Sequence, residues 1–401
     1  MEHRVSQGMA AAHESYGRHL GRYLNQSSYD RMRGLPGVID LAFGDPHEYP
    51  ASALVELFHR NLDPGHPGWF AYTRDHPPAQ EFVAEQLTDE FGERFEPADI
   101  ALTNGAFGGL VVCLRSVCDP GDEVIYLAPT WFYYESMIIS SGATPRRVDL
   151  APSSWRLDPD RIDAAITPST SAIIINSPNN PTGVIYADAE LAALADVLTQ
   201  ASRRYGRPIY LISDEAYRRI VFDDLPCPSP GSFYPFTLLV HTYTKTLLLP
   251  GQRIGYIALP PSMPEREQIR ETLTISRLMT GWAFPGNSLM YAVPELNGHT
   301  ISVKPMQVRR NILVDAFTAA GFHVRPSQGT FYLLARTATG DDWAHVRKLE
   351  QHGMLALAGS VVGAPGHIRL SLTITDEMAY DTAARVRRAY DGPGGRLSAG
   401  Q

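Results

Sequence analysis

Thr242-Tyr-Thr-Lys245-Thr-Leu-Leu-Leu-Pro-Gly-Gln-Arg253-Ile-Gly-Tyr256 sets one lysine among small hydroxyl residues, just after the apolar run Leu238-Leu239-Val240. Arg253 follows between Gly251 and Gly255. A lysine at the end of a buried strand is costly as a bare ammonium, because burial disfavours the charged form and lowers its pKa. A neutralised amine is a nucleophile, and its natural electrophile is a carbonyl. Threonine hydroxyls and an arginine suit a phosphate. An amine nucleophile beside a phosphate site points toward pyridoxal phosphate. On this stretch alone, a surface loop with a solvated Lys and Arg stays open.

The chain around it decides. Its 401 residues allow two domains, perhaps three, and its hydrophobic (44%) and charged (19%) fractions are those of a soluble globular enzyme. A formal net charge of −8 argues against a nucleic-acid surface, which needs a basic stripe. Three cysteines, Cys113, Cys118 and Cys227, make no disulfide framework, and no metal-ligand spacing appears. The N-terminus lacks the apolar segment of a signal peptide, and no run is long enough to span a membrane. A cytoplasmic location is expected, with no membrane or nucleic-acid partner.

From about residue 97 short apolar strands alternate with helices. The strands are read at Ile100–Thr103, Glu123–Leu127, Arg146–Leu150, Ala172–Asn176, Ile209–Ser213, Thr237–His241 and Gly255–Leu259. That alternation predicts an α/β domain with a largely parallel, buried sheet, binding its ligand at the carboxyl ends of the strands. After about residue 290 the pattern loosens into a smaller α+β domain. The expected division is an N-terminal segment 1–50 packing with the small domain, a large domain 51–290, a small domain 291–390 and a disordered Gly- and Ser-rich tail 391–401.

Candidate chemistry sits just after those strands. Asp214, at a strand end, can pair with a protonated pyridine nitrogen, and Tyr217 can reach a ring hydroxyl; a helix cap is the other reading of Asp214. Asn180, in Asn176-Ser-Pro-Asn-Asn-Pro-Thr-Gly183, can donate to a ring oxygen or a carboxylate. Thr103-Asn-Gly-Ala106-Phe107-Gly-Gly109 opens a helix whose N–H groups can approach a phosphate, without the Gly-Lys-Ser/Thr of a P-loop. Trp131 can stack on a flat heteroaromatic ring or pack in the core. Arg369, in the apolar strand Ile368–Leu372, needs an anion: a substrate carboxylate or an internal partner.

In this order, from about Leu41 to Leu372, the motifs resemble the class I/II aminotransferases, the fold-type I pyridoxal phosphate enzymes. The resemblance implies a mostly parallel seven-stranded sheet plus a smaller α+β domain. It also implies amino transfer between an amino acid and a 2-oxo acid through a Lys245 Schiff base. Lys245, Asp214 and Tyr217 then carry the catalysis, with Asn180 and Trp131 on the ring. Ala106, Phe107, Thr242, Thr244 and Arg253 take the phosphate. Arg369, Asn180, Gly44 and Trp131 meet the substrate. Tyr72 resembles the tyrosine given to a neighbouring subunit's phosphate, which implies a homodimer with shared active sites. The sequence departs from the family at Arg74–Ala79, at Gln252 and at Gly281–Ser288. These segments put the substrate in doubt, and elimination, replacement, cyclisation or oxidation on the same scaffold is the alternative reaction.

Overall fold

The computed structural model describes residues 5–296, 299 and 301–391. The expectation of a disordered tail at 391–401 falls, apart from Asp391, outside the described residues. In chain order the strands are β1 (Ile39–Asp40), β2 (Ile100–Thr103), β3 (Glu123–Ala128), β4 (Thr144–Asp149), β5 (Thr170–Asn176), β6 (Tyr210–Asp214), β7 (Thr237–Thr242), β8 (Gly255–Ala258), β9 (His323–Val324), β10 (Tyr332–Arg336), β11 (Met354–Leu355), β12 (Leu357–Ala358) and β13 (His367–Ser371).

Seven of them form one sheet in the order β2-β8-β7-β6-β5-β3-β4. Neighbours from β7 through β6, β5 and β3 to β4 run parallel, and β8 runs antiparallel to both β2 and β7. β5 is buried along its whole length, and β6 at every residue but its first. Burial on both faces explains why these strands read as continuous apolar runs rather than alternating ones.

The crossover helices show why the pattern was legible. The helix Asp188–Tyr205 buries Leu191, Leu194, Ala195, Leu198 and Ala201 on one face. It opens with Asp188 and Glu190, closes with Arg203 and Arg204, and stops at Gly206, where φ is +69°. Acid at the start and base at the end complement the helix dipole, and glycine takes the left-handed turn without strain.

A second sheet, β12-β13-β10-β9, is antiparallel throughout. Its neighbour β11 pairs in parallel with β1, and Leu41 N–H donates to Leu355 O at 2.8 Å. The residues before 50 are therefore tied to the C-terminal sheet. The helix Gln7–Tyr16 also packs on the helix Tyr134–Ser140, so the N-terminal segment touches both sheets' surroundings. The expected boundary at 290/291 lies within one helix, Asn287–Ala292, which packs against the helix Ser52–Leu62. Among the described residues no helix is long and apolar enough to cross a membrane.

Candidate active site

The carboxyl ends of β2, β3, β5, β6 and β7 open on one cavity, as the topology of an open parallel sheet dictates. Its wall includes Ala106, Phe107, Trp131, Asn180, Asp214, Tyr217, Thr242, Thr244, Lys245 and Arg253. Ten of the residues singled out from sequence, scattered over 148 positions of chain, thus meet in one place.

Lys245 sits in the short helix Tyr243–Thr246 directly after β7. Burial, then repulsion from Arg253, lowers its pKa from the ordinary 10.5 to about 8. Its Nζ lies 5.3 Å from the Phe331 ring centroid. Among the described residues it has no ion-pair partner. Thr242 caps that helix, taking the N–H of Thr244 at 3.3 Å, and the two hydroxyls lie 2.9 Å apart. Opposite them the helix Gly105–Val117 begins without a side-chain cap, which leaves its first N–H groups to be satisfied from the cavity. Gly105 has φ +74°, and a Cβ there would stand 3.0 Å from Arg253 Nη2 and 3.3 Å from Thr242 Oγ1. Glycine is what lets helix start, guanidinium and hydroxyl converge on one small concavity. Such a cradle fits a phosphate.

Asp214 ends β6, fully enclosed. Its Oδ2 accepts from the Tyr134 hydroxyl at 2.6 Å and its Oδ1 from the Ala216 N–H at 3.1 Å. Burial pushes its pKa up, and the Tyr134 bond pulls the other way. No lysine or arginine pairs with it among the described residues. A buried carboxylate without a cation, facing a cavity, fits a protonated ring nitrogen. A phosphate socket and a pyridinium socket thus flank a primary amine, and the residues present fit pyridoxal phosphate.

Arg369 is 1% exposed, yet lies one layer behind the cavity wall. Nη1 donates to Asn180 Oδ1 at 3.0 Å and Nη2 to Ala42 O at 2.7 Å, while Nε has no partner. Its guanidinium carbon stands 3.9 Å from the Tyr332 ring centroid. No carboxylate of the described residues pairs with it, which removes the internal ion pair as an explanation. Gly44 lies against the Phe331 ring and the Tyr332 hydroxyl, too close for any side chain. Trp131 meets Phe107 edge-on at 5.1 Å and 86°. Tyr217 is buried edge-on to Phe331 at 5.2 Å. Tyr72 is not brought to this cavity and is fully exposed.

Two roles escaped the sequence reading. Tyr134 was read as one more aromatic near Trp131, not as the partner of Asp214. Tyr332 lines the cavity and faces Arg369, and nothing in Thr-Phe-Tyr-Leu-Leu distinguishes it from a core strand residue.

Residues 36–386 match the family described as aminotransferase class I and II. An aspartate/prephenate aminotransferase from Cereibacter sphaeroides is 30% identical over 374 residues, covering 87% of this chain and 90% of the relative. Among solved structures, an amino transferase from Eubacterium rectale superposes with a TM-score of 0.85 at 26% identity, covering 96% of this chain and 98% of that one. The aspartate aminotransferase from Thermus thermophilus with maleate gives 0.78 at 28% identity, covering 96% and 97%.

Fold and site together define a pyridoxal phosphate enzyme. The chain belongs to the class I and II aminotransferases, and it transfers amino groups.

Proposed function

We propose that this cavity moves an amino group between an amino acid and a 2-oxo acid, with Lys245 as covalent anchor and proton carrier. When bound, pyridoxal phosphate supplies an aldehyde that joins the substrate amine and a ring that accepts the electrons of the Cα–H bond. Asp214 would hold a proton on the ring nitrogen, and Tyr134 orients Asp214. Tyr217 and Asn180 would bond the ring hydroxyl, and Trp131 would pack against the ring. The N–H groups of Ala106 and Phe107, with Thr242, Thr244 and Arg253, hold the phosphate. Arg369 clamps the substrate α-carboxylate beside Asn180, and the Gly44 backbone closes over it. The Lys245 Nζ takes the proton from the substrate Cα and would deliver it to the carbon that carried the cofactor's aldehyde, so that water can release the 2-oxo acid. A pKa near 8 suits that task near neutral pH, because a useful fraction of the amine is unprotonated.

One observation carries this reading. A largely enclosed amine and an enclosed carboxylate face the same cavity, and among the described residues neither is in an ion pair. Each is costly alone, and one bound group satisfies both.

The same reading makes the protein a homodimer whose Tyr72 completes the phosphate site of the second copy. It places the enzyme in the cytoplasm and divides the chain into a large domain, 51–290, and a small one, 291–390, with residues 1–50 joined to the latter.

Borohydride reduction of the holoenzyme followed by peptide mapping should locate the cofactor on Lys245. Incubation with an amino acid should yield one equivalent of 2-oxo acid and the amine form of the cofactor. Attachment at another lysine would overturn the anchor, and release of ammonia in place of the amine form would overturn amino transfer.

A further inference from the structure

Amino transfer at this site gives each of the cavity's cations a task, and the side-chain preference of the site rests on that proposed function. Lys245 and Arg253 stand in the wall, and Arg369 lies behind Asn180. They serve the aldehyde, the phosphate and the α-carboxylate. Among the described residues no other lysine, arginine or histidine lines this cavity. The acidic Asp45, outside the wall, is close enough to Lys245 to act on its charge.

Beside these cations and the polar groups given to the cofactor, the wall has an apolar side made of Phe107, Leu110 and Trp131. Phe107 is the one large side chain in the helix turn Gly105-Ala-Phe-Gly108. Its ring lies 5.1 Å from that of Trp131 and 5.3 Å from that of Tyr133, edge-on to both. Leu110 adds an aliphatic patch one turn on. Trp282 covers the same turn at Gly108, where a Cβ would stand 3.1 Å from the indole. Asn104 Nδ2 fixes that loop by donating to Trp282 O at 3.1 Å.

We infer that the substrate of this site carries an apolar, aromatic side chain, and that Phe107 is the residue that sets this preference against dicarboxylic amino acids. A second carboxylate pressed against Phe107 and Trp131 is a desolvated charge with no partner. A phenyl or indole side chain there buries apolar area and extends the edge-to-face packing already present. The maleate held by the Thermus thermophilus enzyme is a dicarboxylate. At 28% identity the side-chain wall is free to differ from that of this neighbour.

The test uses the holoenzyme and two carboxylates that carry no amine, 3-phenylpropanoate and maleate, with dissociation constants measured by calorimetry. 3-Phenylpropanoate should bind at least about tenfold more tightly. The kcat/KM for L-phenylalanine should exceed that for L-aspartate by a similar factor. Phe107→Lys should move the ratio of the two dissociation constants toward maleate by about tenfold or more, and Phe107→Leu should keep the wild-type order. Maleate binding as tightly as 3-phenylpropanoate to the wild type would overturn the inference. That is also the result expected if the exposed Arg74, two residues from Tyr72, reached this cavity from a second copy. A preference for L-ornithine over L-phenylalanine would overturn it through Asp45. An unchanged ratio in a folded Phe107→Lys would remove Phe107 as its cause. If no amino acid converts the cofactor, amino transfer by this site is refuted, and the two dissociation constants still decide the side-chain class.

Discussion

Replacing Lys245 by methionine should stabilise the cofactor-free protein by about 3 kcal/mol near pH 7, and the gain should fade as pH rises. The cause is the lysine's surroundings. Burial comes first, then repulsion from Arg253, with Arg369 adding to it; Asp45 and Asp214 oppose, and the pKa settles at about 8 against an ordinary 10.5. The sign comes from proton counting. Between those two values the unfolded chain binds more protons than the folded one, so stability rises with pH across the window. The penalty is fully present below about pH 8 and is gone above about pH 10.5. At roughly 1.4 kcal/mol per pH unit, the gap corresponds to about 3 kcal/mol near pH 7 and under about 1 kcal/mol near pH 10. Methionine keeps length and packing without the charge. Urea unfolding of both apoproteins at one protein concentration, near pH 7, 8.5 and 10, measures the difference while cancelling other titrations. A difference that stays flat with pH, or a wild type more stable near pH 7, would refute the reasoning. The strain has a use: about one amine in ten is neutral near pH 7, against about one in three thousand for an ordinary lysine.

Other substitutions probe the remaining contacts. Tyr134→Phe removes the 2.6 Å bond to Asp214 and should weaken cofactor binding by about tenfold, in line with a lost bond of about 1–2 kcal/mol to a charged group; equilibrium dialysis reads it. Arg369→Lys keeps the charge but loses the planar fork. It should lower kcat/KM for the amino acid by about a hundredfold while leaving the cofactor's visible spectrum in place. Asp75→Asn leaves Arg277, only 3% exposed, without its bidentate partner at 2.7 and 2.8 Å, and should cost about 3 kcal/mol of stability in denaturant unfolding.

Much of this was legible in the chain because burial writes itself into sequence. The strands β2 to β8 fall within two residues of their expected ends, since all but the polar edge strand β4 are apolar runs bounded by turn residues and helices. The helix Arg266–Met279 was not read. It buries only Ile269, Leu273, Ser276 and Arg277 and leaves Ile275 and Met279 exposed, so no clean apolar stripe marks it in the sequence. β11 and β12, two residues each, are too short to carry a period. Lys245, Asp214 and Asn180 were found because each follows a strand within a recognisable motif. The bond from Tyr134 to Asp214 was missed because the two are 80 residues apart, and only the sheet order brings the ends of β3 and β6 to one cavity.

The segment Arg74–Ala79, which departs from the family's pattern, acquires a physical meaning once its contacts are known. Asp75 binds Arg277 and also takes the Leu102 N–H at 3.1 Å, which fastens the segment to β2. His76 packs edge-on against Tyr291 at 4.4 Å, and Asn287 Nδ2 donates to Trp69 O and to Ala71 O. The backbone on both sides of Tyr72 is thus held by partners up to 218 residues away in sequence. Yet the side chains it presents, Phe70 and Tyr72, are 79% and 109% exposed. Ordering a loop costs conformational entropy, and here that ordering covers no apolar surface of the loop's own tip. A lone chain gains nothing from aiming two aromatic rings at water. In the homodimer proposed above, a second copy that received Tyr72 at its phosphate socket would gain, because the backbone carrying the tyrosine is already held and binding would cost little further freedom. Under that proposal the Asp75–Arg277 pair anchors the segment that offers Tyr72 to the second copy.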